Sequence, residues 1–132
     1  MNVAEPLFLT RDQIEKLHRN SLAAFGGLEG VRNESLTDSA LASAKNTYWY
    51  GGDDLFEIAA AYAFHLAEAQ GFLDGNKRTA IGAALTFLEL NGISSVPDDT
   101  ELYDAMIAIA DKKLNKSGLA AMFRAAFERP AQ

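Results

Sequence analysis

Apolar side chains recur at intervals of three and four residues along most of the chain, a spacing typical of amphipathic helices. Glycine, asparagine and proline interrupt the pattern and mark the ends of the predicted helices. Short loops and the lack of any internal repeat predict a single all-α domain spanning residues 1–132. The pattern predicts six helices, at 11–25, about 33–46, about 54–69, 76–90, about 99–112 and from about Ser117, its cap, to before Pro130.

Capping signals support the ends of several of these helices. Thr10 followed by Gln13 is a capping-box pattern, and Asp53 or Asp54 is placed to cap the third helix. The third helix is apolar on nearly every side, and its few polar residues lie near one side when it is viewed down the axis. We therefore expect it to lie at the centre of a helical bundle.

The segment between the second and third helices differs from the rest of the chain. Tyr48, Trp49 and Tyr50 are followed by two glycines, a pattern typical of a short hairpin or flap. A flap is therefore predicted at residues 47–52, where it would guide a target peptide. The alternative, that the three rings pack onto the bundle, stays open.

Composition and charge narrow the function classes. Of the 132 residues, 48% are hydrophobic and 23% are charged, as in ordinary soluble globular proteins. The net charge of −6 argues against a direct, nonspecific grip on nucleic acid or an anionic membrane. The lack of cysteine excludes disulfides, a thiol nucleophile and a thiolate zinc site. With no signal-peptide pattern and no apolar run of membrane length, we expect a cytoplasmic protein.

One polar, glycine-containing loop separates two buried helical segments. A loop that opens a helix presents backbone N–H groups without intrahelical partners at the positive end of the helix dipole, and both favour an anion. Lys77 and Arg78 add full positive charge there. A P-loop would require a hydroxyl residue directly after the lysine, and an EF-hand would require glutamate where Leu85 stands. The loop is therefore interpreted as a phosphate-binding loop, with a plain capped turn between helices as the alternative.

This loop resembles the signature of the Fic/Doc superfamily in its death-on-curing (Doc) branch, approximately His-x-Phe-x-Asp-Gly/Ala-Asn-Lys-Arg-Thr-Ala. Similarity extends to the segments at 5–10, 26–32, 50–56 and 87–92 and so covers most of the chain. The resemblance implies a Fic-fold helical bundle and a toxin that transfers phosphate from ATP to a protein hydroxyl. The residues that match the signature one by one are Phe72, Asp74, Gly75, Asn76, Lys77, Arg78, Thr79 and Ala80.

The chain departs from the signature at its first position. Gln70 stands where the family has histidine, and Gly71 stands where many members have proline. In the family, the histidine removes a proton from the target hydroxyl, and a neutral amide cannot replace it because it has no comparable pKa. Transfer is therefore expected to be weak or absent. Gln70 is either a natural variant or a deliberate inactivation, and the second departure at Gly71 favours a natural variant.

Neither histidine of the chain is expected to replace the missing base. His65 lies five residues before Gln70 and is interpreted as a polar tip at the edge of a buried helix. His18 is interpreted as an exposed helix residue.

The resemblance assigns roles to five residues of the loop. Asp74 would hold Mg²⁺, Gly75 would allow a phosphate to approach the backbone, and Asn76 would orient phosphate through its amide. Lys77 replaces the glycine of AMP-transferring relatives and goes with transfer of the terminal phosphate, and Arg78 would hold phosphate charge. Structural roles stay open for three of them: a turn or cap for Asp74, a cap for Asn76, and a solvated side chain for Arg78.

The resemblance also implies partners. The family's target is elongation factor Tu, and its antidote is a small Phd-like antitoxin whose C-terminal segment docks on the toxin. A second hypothesis is a catalytically inactive Fic-fold module that binds an antitoxin or another protein partner. A third is a transferase that uses another donor without a histidine base.

Overall fold

The structure, a computed structural model, describes residues 5–93, 104, 108 and 115–127. Within these residues it is all-helical and has no β-strand, which confirms the predicted all-α class. The helix predicted at 99–112 lies outside the described residues except for Asp104 and Ala108, which are both helical. None of the described helices is long and apolar enough to cross a membrane. The helices with both ends within the described residues are α1 (Arg11–Phe25), α2 (Glu34–Gly51), α3 (Leu55–Ala69), α4 (Asn76–Leu90) and α5 (Lys116–Phe127).

Helix α3 lies at the centre of the bundle, as its apolar sequence predicts. It packs against α2, α4 and α5. The unbroken run 58–63 along α3 is fully buried and consists mostly of alanine. Small side chains let the neighbouring helices approach α3 closely, and the larger Tyr62 fills the space beside Phe87 of α4, with ring centroids 5.2 Å apart. The core therefore surrounds α3, and the loop that follows α3 begins at a rigid element.

The predicted caps at the beginning of α1 and α3 are confirmed. Thr10 and Gln13 form both bonds of a capping box, and Asp54 accepts hydrogen bonds from two backbone N–H groups of the first turn of α3. The cap predicted at Ser117 is wrong, because Asn115 makes that contact and accepts a bond from Gly118 N at 2.8 Å. These side chains satisfy N–H groups that would otherwise lack partners.

The hairpin predicted at 47–52 is wrong. Helix α2 does not end near Asn46 but continues to Gly51. Tyr48 is half-buried and contacts the ring of Phe8, in the segment before α1, edge-on with centroids 5.7 Å apart, so its aromatic ring packs from a position in a helix rather than in a strand. The strand preference of aromatic residues depends on such packing and is not intrinsic to the backbone. Trp49 and Tyr50 remain exposed, by 57% and 89%.

A buried hydrogen bond fixes the segment that precedes α1 to the core. The backbone N–H of Leu9 donates to the Tyr62 hydroxyl at 2.9 Å. Burial of the phenol raises the pKa of Tyr62 to about 12. The folded state therefore favours the neutral phenol, and the stability that this provides is lost as the pH rises from the unfolded value near 10 towards 12.

Replacement of Tyr62 by phenylalanine is expected to leave the Leu9 N–H without a partner. We expect the free energy of unfolding at neutral pH to fall by about 1–3 kcal/mol, measured by urea denaturation. Because the variant lacks the titrating phenol, its deficit should shrink as the pH rises above about 10. Tyr50→Phe, at an exposed position, is the matched control and should change neither the free energy of unfolding at neutral pH nor its dependence on pH above about 10. A deficit that stays constant with pH would contradict this account.

Candidate active site

The loop between α3 and α4 opens into a cleft of about 380 Å³. The cleft brings together every residue of the loop that was predicted from the sequence to be functional, from the C-cap of α3 to the first turn of α4. Leu73 and Ala67 add apolar surface to the wall of the cleft. The residues that line the cleft are Ala67, Gln70, Leu73, Asp74, Gly75, Asn76, Lys77 and Arg78.

The first turn of α4 faces this cleft without a side-chain cap. Gly75 is the N-cap residue, with φ 74°, and no side chain bonds to the N–H groups of the turn. The first intrahelical bond of α4 runs from Thr79 N to Gly75 O at 3.0 Å. The N–H groups of Asn76, Lys77 and Arg78 therefore precede the helical hydrogen-bond ladder, and the helix dipole makes their end positive. This arrangement suits an anion.

Asp74 is fixed by two backbone N–H groups. Its Oδ1 accepts from Gly75 N at 2.8 Å, and its Oδ2 accepts from Leu28 N at 3.1 Å. These two bonds hold the pKa of the Asp74 carboxyl below its usual range, and the bond from Leu28 has the larger effect. The charge of Arg78 lowers this pKa further. The carboxylate is exposed and ionised near neutral pH, and each oxygen retains a lone pair for another ligand.

The donor set fits a magnesium ion that is shared with phosphate. Mg²⁺ is usually held by one or two carboxylates together with phosphate oxygens and water, rather than by a cage of protein ligands. Asp74 supplies one exposed carboxylate at the cleft, and no cluster of three or more acidic or histidine ligands exists among the described residues. A metal here would therefore need the phosphate as a ligand.

The Asn76 amide turns back onto the loop. Its Oδ1 accepts from Phe72 N at 3.1 Å, and its Nδ2 donates to Phe72 O at 3.0 Å. These two bonds close the turn between residues 72 and 76, so Asn76 braces the loop. A single N–H of the amide is left for a further acceptor, and the predicted contact of this side chain with phosphate stays a prediction.

The two cations of the loop lie at the mouth of the cleft. Lys77 and Arg78 are both exposed and both line the cleft. The guanidinium of Arg78 lies over the ring of Phe25 at 4.5 Å from the centroid. A cation–π contact at this distance restricts the side chain at a modest free-energy gain, so Arg78 is more than a freely solvated charge.

The segment 27–33 runs beside the loop and fixes its backbone. Val31 and Phe72 form an isolated antiparallel bridge, and Leu73 N donates to Gly30 O at 3.1 Å. This contact was not predicted from the sequence. The signal was a pair of glycines: a Cβ on Gly27 would lie 2.8 Å from Asp74 Oδ2, and a Cβ on Gly30 would lie 2.8 Å from the Leu73 side chain.

Gln70 is the C-cap residue of α3, and its backbone is left-handed, with φ 51° and ψ 50°. Among the described residues it is the only non-glycine with positive φ. Its side chain is exposed and lines the cleft. Its carbonyl oxygen accepts a bond from Arg32 Nε at 2.8 Å.

His18 was predicted to be exposed, and this is wrong. The side chain is buried, with 4% relative exposure, and its ring stacks on Phe72 at a centroid distance of 3.9 Å and an angle of 10°. Its Nε2–H donates to Asp74 O at 2.8 Å, so His18 helps to hold the backbone of the loop in place. The missed signal is the spacing of four residues from buried Ile14, which places both on one face of α1.

His65 does not reach the cleft. It is half-buried, and its Nε2 lies 3.1 Å from Lys116 Nζ, which donates to it. Burial, together with the lysine charge, lowers the pKa of His65. This agrees with the interpretation of His65 as a polar tip at the edge of α3.

The predicted flap residues also lie away from the cleft lining. The N-terminal end of α2 contacts the loop, through the bond from Asn33 N to Gly71 O at 3.0 Å. Tyr48 lies fifteen residues after Asn33, which corresponds to about 20 Å along a helix axis. A role of these aromatic residues in contacting a target stays a prediction.

Gly71 provides a test of how tightly the loop is packed. A Cβ at this position would meet the Thr37 hydroxyl well inside van der Waals contact. Gly71→Ala is therefore expected to lower the free energy of unfolding by about 1–3 kcal/mol, measured by urea denaturation. Gly82→Ala is the matched control: it lies within α4 with nothing near its Cβ, and the change should stabilise by up to about 1 kcal/mol.

The double variant with Thr37→Ala tests the cause of that loss. If the Thr37 hydroxyl is the obstacle, Gly71→Ala should cost less in the Thr37→Ala background than in the unmodified chain. An equal cost in both backgrounds would contradict the close approach of the two residues.

Comparison with known proteins identifies relatives of the chain. The model of the Fic/DOC family matches residues 8–88, which include α1, α2, α3, the loop and most of α4. The chain is 31% identical to the "Protein kinase doc" of Escherichia phage P1 over 117 residues, which are 88% of this chain and 92% of that protein. It is 45% identical to the "Toxin Doc" of Mycolicibacterium smegmatis over 78 residues, 57% of this chain and 59% of that protein. The resemblance noted in the sequence is thereby confirmed.

Proposed function

The chain belongs to the Fic/Doc family, and from this membership we propose a specific activity for it as a Doc-like toxin. It is built to transfer the terminal phosphate of ATP to a serine or threonine hydroxyl of a translation factor similar to elongation factor Tu. Gln70 impairs this transfer. A Phd-like antitoxin peptide is the proposed binding partner that controls it.

The observation that carries the proposal is the uncapped N-terminus of α4, which opens into the cleft. Three backbone N–H groups, Lys77 and Arg78 supply positive charge on one side, and the ionised Asp74 lies beside them. In phosphoryl transfer the protein contributes mainly positioning and electrostatic stabilisation. These residues support both contributions without any covalent step on the protein.

When bound, ATP supplies the phosphoryl group and Mg²⁺ neutralises part of its charge. Asp74 would hold the metal, because its carboxylate is exposed, ionised and fixed by Leu28 and Gly75. The N–H groups at the start of α4 would bind phosphate oxygens, and Lys77 and Arg78 would add charge contacts at the mouth of the cleft. The phage relative is named a protein kinase, which supports phosphate as the transferred group.

The residue at position 70 determines whether the target hydroxyl is activated. Gln70 lines the cleft, which supports a contact between its side chain and a target hydroxyl held there. Its amide can accept a hydrogen bond and orient that hydroxyl, but it cannot take up the proton near neutral pH. The loss of a general base typically costs about 10²–10⁴ in rate. We therefore propose weak or absent transfer by this chain.

Restoring a base at position 70 is the direct test. Gln70→His is expected to raise transfer of label from γ-labelled ATP to purified elongation factor Tu by about 10²–10⁴-fold. α-Labelled ATP should give no labelled target, because the nucleotide itself is not transferred. Asp74→Asn in the Gln70→His background should abolish the gain. Transfer of the α-label, or equal transfer without Gln70→His, would contradict the proposal and favour another donor or another base.

A second candidate function follows from Gln70 itself. Without a base, the same fold could serve as a binding module for an antitoxin or another protein, and the cleft would then be vestigial. Two results together would favour this function. Neither the unmodified chain nor Gln70→His would transfer label, and an antitoxin peptide would bind Lys77→Ala and Asp74→Ala as well as it binds the unmodified chain. Weaker peptide binding by both variants would instead indicate that the peptide binds at the cleft.

A further inference from the structure

We propose that Arg32 is a positioning residue, which holds the backbone at position 70 in its left-handed conformation and thereby directs that side chain into the cleft. The proposal deepens the proposed function and rests on it for its catalytic consequence. Its structural part is independent of any activity. Neither the signature of the loop nor its predicted roles include Arg32.

Arg32 contacts three successive carbonyl groups at the end of α3. Its Nε donates to Gln70 O at 2.8 Å, and its Nη2 donates to Ala69 O at 3.3 Å. Its backbone N–H donates to Gly71 O at 2.8 Å. The last carbonyl groups of a helix lack intrahelical donors, and a planar guanidinium with several N–H groups can satisfy two of them at once. Its positive charge also suits the negative end of the helix dipole.

The ends of two other helices show why position 70 needs such support. Helices α1 and α2 end at Gly26 and Gly52, with φ of 79° and 100°, where the lack of a Cβ makes positive φ inexpensive. Helix α3 ends at Gln70 with φ 51°. Glycine would relieve the strain there but would remove the side chain that lines the cleft. Because the Arg32 side chain holds the carbonyl groups of residues 69 and 70 (the Arg32 clamp), position 70 can combine a left-handed backbone with a side chain in the cleft.

The rest of the cleft is held by other groups. Asp74 is fixed by Leu28 N and Gly75 N, and Asn76 closes the turn through Phe72. Loss of the Arg32 side chain therefore removes contacts to residues 69 and 70 and leaves the phosphate-binding end of the cleft in place. This separation predicts an effect on the catalytic step and not on nucleotide binding.

The catalytic test uses Gln70→His as the parent and adds Arg32→Gln or Arg32→Lys. For Arg32→Gln we expect kcat to fall by about tenfold or more, while the KM for ATP stays within about twofold. Arg32→Lys should restore part of the loss, because an ammonium keeps the positive charge but lacks the planar, pre-organised fork of N–H groups with which the guanidinium contacts both carbonyl groups. Arg19→Gln is the matched control, since Arg19 is an exposed arginine on α1 that does not line the cleft. It should leave kcat unchanged.

The structural test uses the unmodified chain and needs no activity. Backbone chemical shifts of residue 70 report its φ and ψ, and amide exchange of Leu73 reports the bond to Gly30 O. Arg32→Gln should move the shifts of residue 70 away from left-handed values and leave Leu73 exchange within about threefold, because that bond is made by another part of the segment 27–33. Arg19→Gln should change neither.

The outcomes separate the clamp from the proposed function. Unchanged shifts at residue 70 in Arg32→Gln overturn the positioning role, whatever the kinetics. A parallel loss of kcat and ATP affinity, or general unfolding of the variant, also overturns it, because the role would then be merely structural. If the shifts move as expected but Gln70→His never transfers label, the clamp stands and the proposed function fails.

Discussion

The candidate site depends on the backbone contact between the segment 27–33 and the loop that joins α3 to α4. The loop must leave α3 by a left-handed residue and enter α4 by a left-handed glycine within five residues. Such a path is not favoured by its own sequence except at Gly75, and it persists only where neighbouring groups hold it. The Val31–Phe72 bridge and the carbonyl bonds of Arg32 provide that support from one side. His18, stacked on Phe72, adds a further contact to the loop.

This arrangement accounts for the division of labour among the polar residues of the loop. Two of them form hydrogen bonds with the protein's own backbone: the Asn76 amide bonds to Phe72, and the Asp74 carboxylate accepts bonds from Leu28 N and Gly75 N. As a result, neither side chain caps the start of α4, which remains open to a ligand. An anion there would replace the missing cap. The proposed phosphate site would therefore offer a preformed set of donors, which would lower the entropy cost of binding.

The sequence predicted the helices and the cleft better than the contacts that hold the cleft. The extents of α1, α3 and α4 follow from helical periodicity and local caps, which are short-range signals. The hairpin at 47–52 failed because the packing of Tyr48 on Phe8, forty residues away, decides the conformation there. The burial of His18 could have been predicted from its spacing to Ile14, but its contact with Asp74 and the contacts of Arg32 with residues 69 and 70 could not. These contacts join segments about 40–55 residues apart in the sequence, and no local pattern encodes such pairs.

The most direct test of the central claim is a titration of the ¹⁵N-labelled chain with Mg²⁺ and ATP, followed by backbone amide shifts. Binding at the uncapped start of α4 should move the amide signals of Asn76, Lys77 and Arg78 most, with smaller changes at Gly75 and Gln70. This result does not depend on catalysis, so Gln70 does not obscure it. Saturable changes elsewhere on the bundle, or no change at millimolar nucleotide, would contradict the assignment of this cleft as a phosphate site.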